Sequence, residues 1–392
     1  MLGGGPAGAT FAALAASAGA RVVLLERESF PREKVCGEFV STEGIAVLSR
    51  LGIFGELQAA GATAIDACRI TDPAGRSAQS KFPECVGGQR GAAGLSRALL
   101  DHSLLQLATR RGVDVRDRTE STVPLFSAGR VIGVRSRRVG SRVYGEATMA
   151  TVVVAADGRK SSLVRALHPQ RGDPSKTSGR SWFGLQIHID GARLAEGGRV
   201  ELCLFPGGYA GLSEIEGGRV NLCMLATVAA LKSCGGSPHR LVLERVMTNP
   251  VAREILEGIE LAGPFRSIGP LQFGRRRATA AGALFLGDAA GTVDPFCGEG
   301  ISLALRSAEL ALPAALEGVA GGGLEPSAAR GYDRVWRRLF SPVARRSSVL
   351  GWILNRPKAA SATLSLLALR NGALFSKVVA ATRSGSRFSP PD

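Results

Sequence analysis

The chain begins with the stretch MLGGGPAGATFAALAASAGARVVLLER, residues 1–27, which carries a glycine-rich turn. Residues 7–20 are rich in alanine and predict a helix after the turn, and residues 21–26 have the composition of a buried parallel strand. The turn has the pattern G-x-G-x-x-G, formed by Gly3, Gly5 and Gly8. In such a turn the first glycine allows the bend, the second lets a pyrophosphate approach the backbone, and the third lets the helix pack closely. The stretch therefore predicts a Rossmann-like dinucleotide-binding unit.

The residues around this turn supply the first candidate ligand contacts. The start of the helix offers free N–H groups to phosphates, and Glu26 follows Gly8 by 18 residues, where an acid can accept hydrogen bonds from ribose hydroxyls. The adjoining residues Pro6, Ala7 and Arg27 complete this candidate set.

The turn lacks the strand that normally precedes it. Only Met1 and Leu2 stand before the glycines, although the first strand is central in this kind of sheet. Its loss removes hydrogen-bond partners from both neighbouring strands. We therefore expect that the natural chain starts upstream, or that this chain is a truncated fragment with a shortened first strand.

A second motif follows in the stretch TVVVAADGRKSSLVRAL, residues 151–167. An apolar strand over residues 152–155 is followed by Asp157 and Gly158 and then by a helix start. The segment fits a place near a bound cofactor, and it fits equally well an ordinary strand–turn–helix in which the aspartate only stabilises the turn.

A third motif lies in the stretch GALFLGDAAGTVDPFCGEGISLALRSAELAL, residues 282–312. A short buried strand over residues 283–286 ends where open α/β sheets bind ligands, and a long helix is predicted over residues 301–317. A carboxylate at the strand end can hold a ribityl hydroxyl, and glycines at a helix N-terminus bring N–H groups and a positive dipole to an anionic ring edge. The candidate residues are Gly287, Asp288, Pro295, Gly298, Gly300 and Ile301.

In this order the three motifs resemble the superfamily of aromatic hydroxylases and geranylgeranyl reductases, over residues 3–312. Two further matches are Arg97 with Asp101, which resembles an element whose arginine faces the cofactor, and KVCGEF, residues 34–39, which resembles the cysteine–glycine segment near the flavin ring in the reductase branch. The resemblance implies FAD as cofactor and NAD(P)H as reductant.

The resemblance also implies a role for each candidate residue. The adenosine diphosphate half would lie on Gly3, Gly5, Gly8, Glu26 and Arg97, and the ribityl chain on Asp288. The isoalloxazine ring would lie near Cys36, Gly37, Pro295, Gly298, Gly300 and Ile301, and Asp157 with Gly158 would support FAD and the nicotinamide donor.

The expected fold class is α/β, with a Rossmann-like FAD-binding domain, an antiparallel substrate domain and a helical C-terminal region. Apolar and polar residues alternate between residues 179 and 226, which is typical of antiparallel strands separated by glycine turns. We expect the FAD-binding domain in three parts, the substrate domain in two and one basic helical region, with the boundaries 1–72, 90–170 and 275–325, then 73–89 and 171–274, then 326–392.

The favoured function is NAD(P)H-dependent hydroxylation of a hydrophobic or aromatic small molecule. The alternative is geranylgeranyl-reductase-like reduction of prenyl double bonds. PGGYAGLSE, residues 206–214, keeps Pro206 and Tyr209 of the prenyl-reductase pattern P-x-x-Y-x-W-x-F-P but lacks its other aromatic residues. The paired tryptophans of flavin halogenases are missing. A non-catalytic protein that binds flavin or an anionic partner is the third alternative.

No catalytic residue is assigned firmly. Cys36 is a candidate proton-donating or redox thiol, and the alternative is that it is a small buried hydrophobic residue. None of the four histidines shows a ligand spacing, and His188 is expected to be solvated or hydrogen-bonded within a strand. The seven cysteines have irregular spacing without C-x-x-C, which favours reduced thiols over disulfides and predicts no metal site.

The net charge of +16 is concentrated at the end of the chain. Residues 326–392 hold twelve Lys or Arg against two Asp. We expect a helical cap with a solvated basic face, or alternatively a peripheral contact with anionic membrane. Nucleic acid is disfavoured because aromatic residues are only 5% and no nucleic-acid motif is present. Without a secretion signal or a long apolar span, the expected location is cytoplasmic.

Overall fold

The structure is a computed structural model that describes residues 1–82, 91–168, 181–194, 196–368 and 373–383. Cys85 lies outside the described residues, and so do the parts of the expected substrate domain at residues 83–89 and 171–180.

The described residues form twelve α-helices and twenty strands. The α-helices are α1 Pro6–Ser17, α2 Thr42–Arg50, α3 Phe54–Ala59, α4 Arg97–Arg110, α5 Ser162–Leu167, α6 Val228–Ser233, α7 Pro238–Glu244, α8 Pro250–Leu256, α9 Gly300–Ala320, α10 Pro326–Leu354, α11 Pro357–Ala368 and α12 Ala373–Thr382. The first ten strands are β1 Val23–Leu25, β2 Phe39–Val40, β3 Thr63–Ile65, β4 Ala67–Thr71, β5 Ser77–Lys81, β6 Ala92–Gly94, β7 Asp114–Arg116, β8 Thr119–Ser127, β9 Arg130–Arg138 and β10 Ala147–Met149. The later strands are β11 Val153–Ala155, β12 Trp182–Ile189, β13 Arg199–Phe205, β14 Gly208–Ile215, β15 Arg219–Thr227, β16 Arg266–Leu271, β17 Gly274–Arg275, β18 Thr279–Ala280, β19 Ala283–Phe285 and β20 Gly291–Thr292.

A parallel arrangement of β7, β1, β11 and β19 lies under the glycine turn. β1 pairs with β7 and β11 pairs with β19, and Leu2 forms parallel bridges to Leu25 on one side and to Ala155 on the other. The Leu2 N–H donates to the Val154 carbonyl at 2.9 Å, and the Ala156 N–H donates to the Leu2 carbonyl at 2.7 Å. The residues before the turn therefore occupy the central position between both neighbours. That the natural chain starts upstream stays a prediction.

Helix α1 packs between this sheet and helices α4 and α9. It begins one residue earlier than the alanine pattern predicts, because Pro6 provides the first helical position after the N-cap Gly5. Its small residues are almost all buried, so that backbones can approach closely. This packing fixes the N-terminus of α1 beside the start of α9 and makes both available to one ligand.

The larger sheet joins seven strands within the described ranges, in the order β16-β12-β15-β14-β13-β4-β5. The predicted antiparallel pattern holds except between β13 and β4, which run parallel. Helices α6–α8 cover one face of this sheet through a core that includes Leu222 and Leu241. β4 lies in this sheet although residues 1–72 are expected in the FAD-binding domain, and the domain division itself stays a prediction.

The C-terminal helices α10–α12 form a cap over the other side of the large sheet. Leu354, Leu364 and Phe375 share a buried cluster with Ile70 and Phe82 from the sheet side. Within the described residues no single helix is long and apolar enough to cross a membrane, although α11 and α12 together reach the required length and composition across a bend of 114°. The described residues of the basic tail, 326–368 and 373–383, therefore include side chains packed into the fold.

Candidate active site

One pocket of about 320 Å³ gathers most of the candidate residues. It lies between the glycine turn, the loop at residues 34–39, the starts of α4 and α9, the large sheet and the C-terminal cap. The predicted residues that line it are Gly5, Pro6, Ala7, Cys36, Gly37, Arg97, Gly158, Gly287, Asp288, Pro295, Gly298, Gly300 and Ile301. Segments almost 300 residues apart in the chain therefore meet around one space.

Two predicted glycines stand behind the pocket and act on backbone packing. Gly3 has φ +87°, and a Cβ there would lie 2.6 Å from the Ala156 carbonyl oxygen. A Cβ on Gly8 would lie 1.9 Å from the Gly3 carbonyl oxygen, so a side chain cannot be accommodated without moving the turn. Both positions thus require glycine for the packing reasons that the G-x-G-x-x-G pattern implies.

The remaining predicted residues do not line the pocket in this structure. Glu26 is buried and accepts hydrogen bonds from the Gly4 N–H at 2.6 Å and the Glu28 N–H at 2.9 Å. The Arg27 side chain is 67% exposed and pairs with Glu28. Asp157 accepts from the Ser162 N–H at 2.9 Å and stabilises the start of α5, and its role towards a cofactor stays a prediction.

The glycine turn is built to hold an anion. Gly5 is the N-cap of α1 and has no side-chain cap, so the first N–H groups of the helix are free for a ligand. Two guanidinium groups flank it, since a Cβ on Gly5 would lie 3.6 Å from Arg32 Nη2 and 3.9 Å from Arg97 Nη2. Both arginines pair with the one buried carboxylate of Asp101, at 3.1 and 2.6 Å. One positive charge is therefore left over beside the turn.

Arg97 keeps its charge although it is buried. Burial lowers the pKa of Arg97, but Asp101 outweighs burial and raises that pKa above its ordinary value. Arg32 Nε is buried and has no hydrogen-bond partner among the described residues. A diphosphate at this turn would supply the missing acceptor, because its oxygens carry the complementary charge.

Arg32 and Lys34 were missed by the sequence analysis. Lys34 lines the pocket, and its Nζ lies 3.8 Å from the position of a Cβ on Gly158. Burial and then the charge of Arg97 lower the pKa of Lys34, while Asp288 raises it. Arg32 just before KVCGEF and Lys34 at its first position were the available signal, because cations close to a predicted phosphate-binding turn favour anion binding.

The N-terminus of α9 opens onto the pocket. Gly298 has φ +68°, and a Cβ there would lie 2.7 Å from the Phe39 ring, so only glycine fits. A Cβ on Gly300 would meet nothing within 4 Å, which leaves its backbone open to a flat ligand. Between them stands Glu299, whose pKa burial and then the charge of Glu43 raise to about 7, against the opposing effect of Arg383.

The loop that carries Cys36 is held by buried polar side chains of the large sheet. The Cys36 N–H donates to Gln186 Oε1 at 3.2 Å, and Asn221 Nδ2 donates to the Cys36 carbonyl at 3.1 Å. Gln186 and Asn221 are fully buried and bond each other at 2.9 Å. Burial raises the pKa of Cys36, so its thiol keeps its proton at neutral pH. The sheet thus fixes this loop from behind.

Glu38 anchors the other side of the same loop. Its φ is +52°, which non-glycine residues rarely adopt. One carboxylate oxygen accepts from the Arg97 N–H at 2.9 Å and the other lies 2.6 Å from His188 Nε2. His188 is therefore hydrogen-bonded within its strand, as expected. Glu33, Glu38 and His188 bring ligand atoms within 4.8 Å of one another, and the absence of a metal site stays a prediction.

The inner part of the pocket is an apolar chamber. The large sheet contributes Ile70, Leu202 and Leu225, and the C-terminal cap contributes Leu350 and Val379. Aromatic side chains come from Phe39, Phe82, Tyr209, Phe273, Phe296 and Phe375. Among the described residues that the large sheet and α10–α12 place on this lining, none is Asp, Glu or His. The chamber suits an aliphatic group that needs no hydrogen bonds.

The pocket fits a flat dinucleotide such as FAD. Its diphosphate would meet the free N–H groups of α1 together with Arg32 and Arg97, and its ring system would meet the open backbone at Gly300. Asp288 lies at the strand end between these two places and lines the same pocket. Two observations indicate an anionic ligand. Arg32 Nε has no hydrogen-bond partner among the described residues, and the space in front of Gly5, where a Cβ would lie, is open and flanked by guanidinium groups.

Comparisons with known proteins agree with this geometry. The profile of a family described as FAD binding domain matches residues 1–324. A digeranylgeranylglycerophospholipid reductase from Methanoculleus marisnigri is 29% identical over 362 residues, which are 91% of this chain and 83% of the relative. The myxobacterial chondrochloren halogenase CndH has TM-score 0.77 at 22% identity, with 99% of this chain and 93% of that chain covered. A flavoprotein/dehydrogenase from Cytophaga hutchinsonii has TM-score 0.79 at 18% identity, with coverage of 97% and 92%.

Proposed function

Since the chain belongs to the family of proteins with an FAD binding domain and is an FAD-dependent oxidoreductase, we propose that it reduces isolated double bonds in a long apolar chain of the prenyl type. NAD(P)H is the proposed reductant. The observation that carries this proposal is the apolar chamber, which shares one pocket with the open backbone at Gly300.

The chamber supports a chain-like apolar substrate. Its sheet and cap walls offer hydrocarbon surface, and burying such surface stabilises binding by about 25 cal/mol per Å². A ring with several hydroxyl groups would find few partners on these walls, among them Ser213, Thr363 and Thr382, and each buried group left without one costs about 1–3 kcal/mol. The similarity to a digeranylgeranylglycerophospholipid reductase supports the same substrate class.

FAD, when bound, supplies the two-electron redox chemistry. The residues of the chain would bind and orient FAD and the substrate. The glycine turn, Arg32 and Arg97 would hold the diphosphate of FAD, and the cap side chains would exclude water from the chamber. Reduction of a double bond needs a hydride at one carbon and a proton at the other. The protonated thiol of Cys36 lines the pocket and is the proposed proton source.

Hydroxylation of an apolar small molecule is the second candidate. The sequence favours hydroxylation because the stretch at residues 206–214 lacks most aromatic residues of the prenyl-reductase pattern. The structure weakens that reason, because Phe82, Phe296 and Phe375 reach the same chamber from other elements. Gly211 and Ser213, which stand where the pattern has Trp and Phe, nevertheless add no aromatic side chain to the chamber, and this observation keeps hydroxylation as an alternative.

Oxygen separates the two candidates. The purified protein, loaded with FAD, is given NADPH and a geranylgeranyl lipid under nitrogen and under air. Double-bond reduction predicts turnover under nitrogen and a product that gains two hydrogens per double bond. Oxygen consumption in proportion to substrate, with a product that gains an oxygen atom and no turnover under nitrogen, would contradict the proposal and support hydroxylation.

A further inference from the structure

The cap exposes large apolar side chains on the side away from the chamber. Trp352 is 59% exposed, Leu366 is 55% exposed and Val349 is 51% exposed. The two other tryptophans, Trp182 and Trp336, are half-buried and buried. An indole is normally buried, because its removal from water stabilises the folded protein. A group of exposed apolar side chains of this kind therefore indicates a surface that binds another molecule.

Exposed side chains near the end of α10 form a stripe. Arg345, Val349 and Trp352 are spaced by four and three residues, so they share one face of the helix, and Arg356 follows two residues after the helix ends. The Arg356 guanidinium stacks 3.6 Å from the centre of the Trp352 ring. The stripe therefore presents an indole and an aliphatic side chain between two cations. We call this stripe, together with Lys358 and Leu366 of α11, the outer face of the cap.

The positive charge of this region indicates what kind of partner it binds. Residues 334–383 contain no Asp or Glu, and Arg345, Lys358 and Lys377 are exposed. A second copy of the same face would bring like charges together, which disfavours self-association. An anionic lipid surface satisfies both the cations and the apolar side chains, since tryptophan and basic residues are the usual anchors at the membrane interface.

The opposite side of the same helices faces the chamber. Leu350 and Leu354 of α10, Leu367 of α11 and Val379 of α12 line the pocket. One layer of helices therefore separates the outer face from the apolar chamber. We propose that the outer face of the cap docks this protein on an anionic lipid bilayer as a peripheral membrane protein. This docking does not depend on which reaction the pocket carries out.

Vesicle sedimentation tests the proposal with the full-length protein. At low salt the wild-type protein should sediment with phosphatidylglycerol–phosphatidylcholine vesicles and stay in solution with pure phosphatidylcholine. W352S should weaken partitioning roughly tenfold through lost apolar burial. R345Q and K358Q should each weaken it roughly fivefold, and added salt should reduce it further.

L243S is the matched control, because Leu243 on α7 is 62% exposed but lies outside the cap. Its partitioning should equal that of the wild type. Circular dichroism shows whether each variant is folded, which is expected because these side chains are exposed. Three results would overturn the proposal: no binding to anionic vesicles, equal loss in L243S and W352S, or a cap-dependent dimer or DNA complex in place of vesicle binding.

Discussion

Arg383 Nη1 lies 2.7 Å from Glu299 Oε1, and both side chains are buried. Arg383 follows the last residue of α12, whereas Glu299 is the N-cap of α9, where the flavin ring is expected. The Arg383 guanidinium also lies 4.7 Å from the centre of the Phe82 ring. The ion pair therefore joins the end of the C-terminal cap to the cofactor side of the chamber.

Removal of this arginine should be costly. R383M leaves Glu299 buried without its cation, and breaking a buried ion pair of this kind costs about 3–5 kcal/mol. Urea unfolding measures the change. R337M serves as control, because Arg337 is 58% exposed and pairs with Asp333 at the surface, so it should cost less than about 1 kcal/mol. Equal losses of unfolding free energy in the two variants would show that the buried ion pair stabilises the protein no more than the surface pair does.

Two glycines of the first turn should respond differently to alanine. At Gly5 a Cβ meets no atom closer than 3.6 Å, so G5A should keep its stability within about 0.5 kcal/mol. The added methyl group occupies the place expected for the diphosphate, so FAD affinity should fall at least roughly tenfold. G8A should instead lose about 3 kcal/mol of stability. Flavin fluorescence titration and urea unfolding measure the two effects, and unchanged FAD affinity in G5A would exclude a ligand at this turn.

Asp294 should make stability fall as pH rises. Burial raises its pKa from 3.8 to about 6, although the Phe296 N–H opposes the shift. The folded state then holds more protons than the unfolded state between pH 4 and pH 6, so the free energy of unfolding drops over this window by on the order of 3 kcal/mol.

D294N removes that loss and keeps the oxygen that accepts from the Phe296 N–H. It should therefore be more stable than the wild type at pH 7 and equal to it near pH 4. D333N is the control of opposite sign. The Ala278 N–H and Arg337 outweigh burial and lower the pKa of Asp333, so D333N should lose stability at pH 7. Parallel urea curves for wild type and D294N at all pH values would refute this account.

Asn221 should act on turnover through Cys36. Its amide fixes the Cys36 carbonyl, so N221A should lower kcat in the reaction of the loaded enzyme without changing FAD affinity. If Cys36 supplies the proton, C36A should lower kcat as well, and the double variant should be no worse than C36A alone. N249A is a matched buried-asparagine control at the start of α8, which should cost stability but leave kcat unchanged. Additive losses in the double variant would separate the two residues.

Local spacing was enough to predict the cofactor half of the molecule. The glycine turn, α1 and the start of α9 are specified by residues within a few turns of one another, because backbone conformation and helix capping are local properties. The same holds for the helices of the basic tail. The strand position before the glycine turn is not specified locally. Residues 1–2 can bridge β1 and β11 only when both of these strands are already in place.

Contacts between distant segments were decided by the tertiary structure alone. Arg32 pairs with Asp101, and Gln186 and Asn221 hold the Cys36 backbone across about 150 and 185 residues of chain. No local sequence pattern could predict these contacts. The aromatic side chains of the chamber likewise come mostly from other elements, such as Phe82, Phe296 and Phe375, with only Tyr209 from residues 206–214. The sequence by itself determined where a dinucleotide can bind, because that needs one turn and one helix end. Only the fold decided the shape and lining of the chamber beside it, because a cavity is the space left when separate elements pack.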